Sequence, residues 1–399
     1  MRPGIPETSN ADCPCCGSAG MSVFYEVKDV PVHSVLLMPT REAALAYPRG
    51  DIALACCPKC GFIGNAAFEP SHQDYSPACE ENQAHSPRFR DFDRELARDL
   101  IERHDLQSKD IVEIGCGKGD FLKLLCALGN NRGVGFDPAY RPKGDCEGSG
   151  GPVRFIADVF SDQYAGYPAD LVCCKMTLEH IPRPDDFLAM IRRSFQGRDP
   201  VFYFQVPDAT RILREFAFWD IYYEHCAYFS PGALARLFRA AGFVVEDLFR
   251  GFGDQYLLLE ARLNGDERRA PLPLEEQADE LWRAVSLFSA GYRERIGEWR
   301  DRLATLRRKG GSTVLWGGGS KAVSFMSAVG GVSGIRYVVD INPRRQGTFL
   351  AGTGQEIVAP EFLKTYGPDA VIVMNPMYRE EIGHELKRLG LAPEIWTLF

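Results

Sequence analysis

The stretch Asp110-Ile-Val-Glu-Ile-Gly-Cys-Gly-Lys-Gly-Asp-Phe-Leu-Lys-Leu-Leu125 constrains this chain more than any other. Ile111, Val112 and Ile114 form the short apolar run of a strand buried in a parallel sheet, and Phe121, Leu122, Leu124 and Leu125 recur at helical spacing. Between them Gly115, Gly117 and Gly119 make a turn whose backbone meets a ligand with no Cβ in the way, and Asp120 opens the helix with an acid that suits its dipole. The order strand, glycine turn, helix predicts an α/β fold. Spacing then narrows the ligand. A dinucleotide fold rests a pyrophosphate on the helix N-terminus and places its third glycine one residue later, as G-x-G-x-x-G. Here the spacing is G-x-G-x-G, and Glu113 adds a carboxylate beside the turn. The turn therefore suits a ligand carrying an ammonium and a sulfonium better than one carrying phosphates.

S-adenosylmethionine (SAM) has those charges, and the following strands fall in the right order for it. Gly133-Val-Gly-Phe-Asp137 ends a second strand in a carboxylate placed to accept ribose hydroxyls. Phe155-Ile-Ala-Asp158 ends a third strand in an acid suited to the adenine amino group, and Asp170-Leu-Val-Cys-Cys-Lys-Met176 is a fourth strand. This string resembles the class I SAM-dependent methyltransferases. The resemblance implies that Glu113, Asp137 and Asp158 contact the amino acid end, ribose and adenine, with Gly115, Gly117, Gly119, Val159 and Met176 completing the cofactor set.

The first feature in chain order is Cys13-Pro-Cys-Cys16-Gly, answered by Cys57-Pro-Lys-Cys60-Gly. Two C-x-x-C knuckles present four thiolates for tetrahedral zinc, and four thiolates leave no open position, which makes the expected zinc structural. Cys13, Cys16, Cys57 and Cys60 are the expected ligands, in a lobe spanning residues 1–75. Residues 68–86 read as a connecting loop over the mouth of the next domain, from which Tyr75 reaches toward a substrate. Residues 88–104 read as an amphipathic helix. Beyond the fourth strand, Glu179-His180 reads as a local packing and hydrogen-bonding pair.

Pro200-Val-Phe-Tyr-Phe-Gln-Val-Pro207 is the fifth strand, and the stretch after it is rich in chemistry. Phe218-Trp-Asp-Ile-Tyr-Tyr-Glu-His-Cys-Ala-Tyr-Phe229 mixes aromatics with a Glu-His pair in a segment of poor helix or strand periodicity, as in the lining of a small-molecule pocket. Residues 76–265 are expected to form the SAM domain. A charged helical connection over 275–309, with Trp282, Val285, Leu287 and Trp299 on its buried side, leads to a third domain within 266–399. There Thr313-Val-Leu-Trp-Gly-Gly-Gly-Ser-Lys321 is again strand into glycine turn, and Tyr337-Val-Val-Asp340 again ends a strand in an acid.

Zinc lobe, class I methyltransferase domain and Rossmann-like C-terminal domain, in that order, resemble the sugar C-methyltransferases of deoxysugar biosynthesis. The cysteine knuckles, Glu113-Ile-Gly-Cys-Gly-Lys-Gly, Tyr222-Tyr-Glu-His-Cys-Ala-Tyr-Phe229 and Asp340-Ile-Asn-Pro-Arg-Arg-Gln-Gly347 carry the resemblance. It implies C-methylation beside the keto group of a nucleotide-linked sugar. His225 is then the general base that removes a carbon-bound proton, because an imidazole is neutral and accepting near neutral pH. Glu224 orients that ring or binds a hydroxyl, Tyr222 and Tyr228 donate to the developing enolate oxygen, and Lys321 meets phosphate. Three segments depart from the family pattern: Tyr223 stands where it has histidine, Phe252-Gly-Asp-Gln-Tyr256 where it has His-Gly-Gly-Ser, and Asn375-Pro-Met-Tyr378 where it often has Trp-Asn.

Composition removes other classes. With 46 basic against 54 acidic residues and a net charge of −8, no basic field recommends nucleic acid as a partner. No apolar run reaches 18 residues and the first residues lack a signal-peptide core, so the chain reads as cytoplasmic, with no membrane partner. O-methylation of a sugar or other metabolite is the alternative reading, and an NAD-dependent oxidoreductase fits the glycine spacings less well.

Overall fold

The computed structural model describes residues 12–72, 78–80, 82–141, 152–265, 270–330 and 334–398. Sixteen strands make three sheets among these residues. In chain order they are β1 (Ser22–Pro31), β2 (Arg49–Cys56), β3 (Ile63–Asn65), β4 (Asp110–Ile114), β5 (Arg132–Phe136), β6 (Val153–Ile156), β7 (Leu171–Lys175), β8 (Val201–Pro207), β9 (Ala227–Tyr228), β10 (Val244–Gly251), β11 (Tyr256–Arg262), β12 (Thr313–Trp316), β13 (Tyr337–Val339), β14 (Glu356–Val358), β15 (Ala370–Val373) and β16 (Glu394–Thr397).

The central sheet runs β10-β11-β8-β7-β4-β5-β6. β6, β5, β4, β7 and β8 are parallel, whereas β11 lies antiparallel between β8 and β10. Reversal of strand order on either side of β4 opens a crevice at its carboxyl end, the place where open α/β sheets bind ligands. The C-terminal sheet, β14-β13-β12-β15-β16, is wholly parallel and has its own crevice beyond β12. The fold is α/β, with a class I methyltransferase sheet flanked by an antiparallel N-terminal lobe and a Rossmann-like C-terminal sheet.

Two expectations change. β9 pairs with β3, so the lobe's sheet, β1-β2-β3-β9, is completed by the very stretch that shows no strand periodicity in sequence. A two-residue strand is too short to carry a period. Along the helix Ala278–Arg308, the buried side is Leu281, Val285, Phe288, Tyr292, Ile296, Trp299 and Leu303. Leu287 is 68% exposed, because a position two residues from Val285 falls on the other side of a helix of 3.6 residues per turn. Phe288 and Tyr292 pack on Phe24 and Tyr25 of β1, so this helix ties the lobe to the C-terminal sheet.

Candidate active site

One cleft of about 1840 Å³ opens beyond the carboxyl ends of the central strands, and all three parts of the chain line it. Pockets for single drug-sized ligands run to roughly 300–1,000 Å³, so this space accommodates a cofactor and a second molecule together.

The glycine turn forms its first wall. Gly115, Gly117 and Gly119 have φ of 71°, 53° and 74°, in the left-handed region that side chains resist. A Cβ on Gly115 would meet Thr177 Oγ1 at 2.0 Å, and one on Gly119 would meet the Phe155 ring at 2.2 Å. Gly117 donates its amide to Asp137 Oδ2 at 2.8 Å, and Ala139 donates to Asp137 Oδ1 at 2.8 Å. Asp137 is thus held rigidly over the turn with lone pairs to spare for hydroxyls. Glu113 is 2% exposed, and burial pushes its carboxyl up to about 8, against the opposing pull of the Lys175 charge. Its Oε2 has no hydrogen-bond partner. Asp158 stands at the rim, where Tyr164 donates to Oδ2 at 2.6 Å and holds the carboxyl below its ordinary range. Val159, 54% exposed, and Met176, at φ 50°, also line the cleft.

The second wall is a histidine cluster. His225 is buried and lines the cleft, and its ring lies edge-on to His180 and to Tyr222, each at 4.7 Å between centroids. Burial first, then the neighbouring His180 and His33, hold its pKa well below the usual imidazole range. The ring is therefore neutral at physiological pH, and its Nδ1 has no hydrogen-bond partner. His180 Nδ1 hydrogen-bonds the Glu224 carbonyl at 3.0 Å. Donor atoms of Glu179, His180 and His225 all lie within 4.8 Å of one another, so the Glu179-His180 pair faces the cleft in addition to packing locally.

Several predicted residues are placed differently from expectation. Glu224 does not orient His225: its Oε1 accepts the amide of Ser34 at 3.0 Å and the Ser34 hydroxyl, leaving Oε2 buried without a partner. Tyr228 is outside the cleft lining; its hydroxyl donates to the Tyr222 carbonyl at 3.1 Å and accepts the Tyr222 amide at 3.0 Å, locking the loop that carries His225. Tyr222 does line the cleft, and its hydroxyl donates to Asp220 Oδ1 at 2.7 Å. Lys321 is paired with that same Asp220 oxygen, and Arg211 Nη1 reaches Asp220 Oδ2 at 3.1 Å. A buried carboxylate thus already holds the ammonium expected to meet phosphate. Tyr75 lies outside the described residues.

The family departures resolve into two kinds. Tyr223 is turned away from the cleft, bonding His72 Nδ1 at 3.0 Å and accepting the Glu69 amide at 3.0 Å. The other two segments meet face to face. Gln255 and Asn375 exchange side-chain amide hydrogen bonds of 2.9 and 3.1 Å between the methyltransferase and C-terminal domains, and Phe252 packs on Tyr378.

In the lobe, the sulfurs of Cys13, Cys16, Cys57 and Cys60 lie within 4.8 Å of one another. Cys13–Cys60 and Cys16–Cys57 are each 3.6 Å apart, close to the roughly 3.8 Å edge of a tetrahedron with zinc–sulfur bonds of about 2.3 Å. The two knuckles match: Gly17 donates to the Cys13 carbonyl and Gly61 to the Cys57 carbonyl, both at positive φ. The Ser18 hydroxyl sits 3.1 Å from Cys16 Sγ and 3.2 Å from Cys57 Sγ, as a donor to bound thiolates would. Cys15 and Cys56 stand outside this group.

Sequence reasoning did not find His33, Asp93 or Lys175 as cleft residues. Lys175 had a signal, a lone charge ending a buried apolar strand on the crevice side.

Residues 85–248 match the family model described as "Methyltransferase domain", and residues 275–392 match "C-methyltransferase C-terminal domain". The chain is similar to C-methyltransferase NovU of Streptomyces niveus, 29% identical over 303 residues covering 72% of each chain. Among solved structures it is similar to 1,6-didemethyltoxoflavin-N1-methyltransferase of Burkholderia thailandensis, with 20% identity and a TM-score of 0.34 over 44% of this chain and 80% of that one. It is also similar to magnesium protoporphyrin IX methyltransferase of Synechocystis, with 16% identity and a TM-score of 0.34 over 44% and 84%. The chain is a SAM-dependent methyltransferase. No helix among the described residues is long and apolar enough to cross a membrane.

Proposed function

We propose that this methyltransferase adds its methyl group to the carbon beside the keto group of a nucleotide-linked keto sugar, with His225 as the general base. The observation that carries the reading is a neutral, buried imidazole that lines the cleft between His180 and Tyr222. Gly115–Gly119 would hold SAM, with Asp137 toward its ribose and Asp158 and Val159 toward its adenine, and SAM would supply the electrophilic methyl. His225 takes the proton from the carbon, Tyr222 faces the enolate oxygen, and Glu224 Oε2 accepts a sugar hydroxyl. The relation to a C-methyltransferase in both the curated relative and the C-terminal family model supports carbon as the acceptor. The C-terminal domain closes over the nucleotide part, its Arg344, Arg388 and His384 lining that end of the cleft. The lobe holds structural zinc on Cys13, Cys16, Cys57 and Cys60; metal analysis finding well under one zinc per chain contradicts this.

The base is tested with substrate deuterated at the acceptor carbon. Positioned general bases typically contribute 10²- to 10⁴-fold, so His225→Ala should cut kcat at least about a hundredfold while SAM binding persists. Wild-type enzyme should release the deuterium to solvent. A methylated product that retains it at that carbon contradicts the proposal and means transfer to oxygen.

A further inference from the structure

Glu179 and His180 enter the mechanism above at no step, yet both line the cleft beside His225. They sit on the single helical turn Leu178–His180 that follows β7, and His225 sits on the loop before β9. Each segment is fixed from behind. The Glu179 carbonyl accepts the Cys226 thiol at 3.6 Å, and the Tyr228 hydroxyl holds both the amide and the carbonyl of Tyr222. Glu179 is 1% exposed and His225 8%. One donor atom from each of Glu179, His180 and His225 lies within 4.8 Å of the other two. Zinc bonds of about 2.0–2.2 Å to imidazole and carboxylate set donors roughly 3.3–3.5 Å apart around a tetrahedral ion. Small side-chain rotations therefore close this trio on a metal.

The hydrogen bonds prepare the rings for that role. A carbonyl can only accept, so His180 Nδ1, 3.0 Å from the Glu224 carbonyl, carries a hydrogen and leaves the lone pair of the neutral ring on Nε2. Metal-ligating imidazoles almost always donate their second nitrogen in this way, which fixes both tautomer and orientation. His225 Nδ1 is buried with no hydrogen-bond partner.

We propose that Glu179, His180 and His225 form a binding site for one divalent ion of the zinc, cobalt or nickel class. Two imidazoles and a carboxylate suit these ions, whereas magnesium and calcium take oxygen ligands. Three protein ligands leave a coordination position open to the cleft, unlike the four thiolates of the lobe. An ion here occupies the imidazole that must take the proton, so the loaded cleft is silent in methyl transfer. That consequence rests on His225 as the base; the binding site itself does not.

Cobalt(II) titrated into the zinc-loaded full chain tests the site, because its absorption spectrum reports its ligands. Wild-type protein should take up one cobalt per chain with visible d–d bands and without the near-ultraviolet sulfur-to-cobalt band of cysteine ligation. Glu179→Gln, His180→Ala and His225→Ala should each weaken that uptake by at least about a hundredfold, since even outer partners of a metal site cost 10- to 100-fold. S-adenosylhomocysteine binding by the same samples shows that each variant is folded. No such cobalt in wild-type protein, uptake that the three variants leave unchanged, or uptake with sulfur ligation alone overturns the proposal. Should a variant fail to fold, the wild-type spectrum and the remaining variants decide. Deuterium retained at the acceptor carbon would remove His225 as the base and leave the cobalt result standing, so the two readings fail separately.

Discussion

The chain builds the same backbone device twice. In the methyltransferase domain Gly117 donates to Asp137 Oδ2 at 2.8 Å and Ala139 to Oδ1 at 2.8 Å; in the C-terminal domain Gly318 donates to Asp340 Oδ2 at 2.8 Å and Asn342 to Oδ1 at 2.8 Å. The surroundings differ. The first turn has all three glycines at positive φ, whereas the second has only Gly317 there. Across the second lies Arg345, 6% exposed, whose Nη1 donates to the Gly318 carbonyl at 2.8 Å, whose Nη2 donates to the Glu80 carbonyl, and whose Nε is 3.9 Å from Asp340. Glu80 joins the two devices, since its carboxylate takes Lys118 of the first turn at 2.5 Å and Asn342 beyond the second at 3.1 Å. A glycine turn closed by an acid is thus a way to pass from strand to helix; both turns line the cleft, and at the second a buried arginine takes the Gly318 carbonyl and ties the turn to Glu80. On this account the first turn holds SAM and the second holds the domains together.

The largest effect should come from Gly117→Val. A branched side chain at φ 53° is strained and blocks the ligand, so S-adenosylhomocysteine binding should fall below calorimetric detection, a loss beyond about a thousandfold. Retained affinity would erase the distinction between the turns. Next is a pH effect confined to the first turn. With its carboxyl pushed up to about 8, Glu113 is protonated in the free protein at neutral pH and must ionise to receive an ammonium. Affinity should therefore rise between pH 6 and 8, by up to about tenfold per unit, and level off above 8. In the free protein the sign is opposite for stability: the unfolded carboxyl ionises from 4.5 upward while the folded one stays protonated, so stability falls across that window. Glu113→Gln should flatten the affinity profile; a slope that survives assigns it elsewhere. The smallest effect belongs to the second turn. Arg345→Ala should lower stability by about 1–3 kcal/mol, the cost of orphaned buried acceptors, while leaving S-adenosylhomocysteine affinity within about twofold. A large loss of affinity with unchanged stability would reverse the roles of the two turns.

The parts of this site that are legible in the sequence are those built from neighbours in the chain. Glu113, the three glycines and Asp137 lie within one strand-turn-helix-strand unit, where spacing alone places the carboxylates over the turn. The cysteine knuckles are likewise local, and each writes its geometry in four residues and a glycine. What the sequence hides depends on distant partners. Glu224 is held by Ser34, 190 residues away, and Lys321 by Asp220, 101 residues away, and nothing in the sequence pairs them. Tyr228 looks like Tyr222 in composition, yet its hydroxyl bonds backbone six residues back and not the cleft. The two turns are alike in kind as strings, and only the fold reveals that Arg345 bonds the backbone of one of them.

The division of labour between the turns is tested most directly by measuring S-adenosylhomocysteine binding to Asp137→Ala and Asp340→Ala side by side with the wild-type chain. Each change removes the same two hydrogen bonds to backbone amides from an equivalent carboxylate. Asp137→Ala should weaken binding by about 1.5–3 kcal/mol through the lost charge-assisted bonds to ribose, and Asp340→Ala should leave it unmoved while lowering the melting temperature. Equal losses of affinity in the two variants, or a loss confined to Asp340→Ala, would contradict the account.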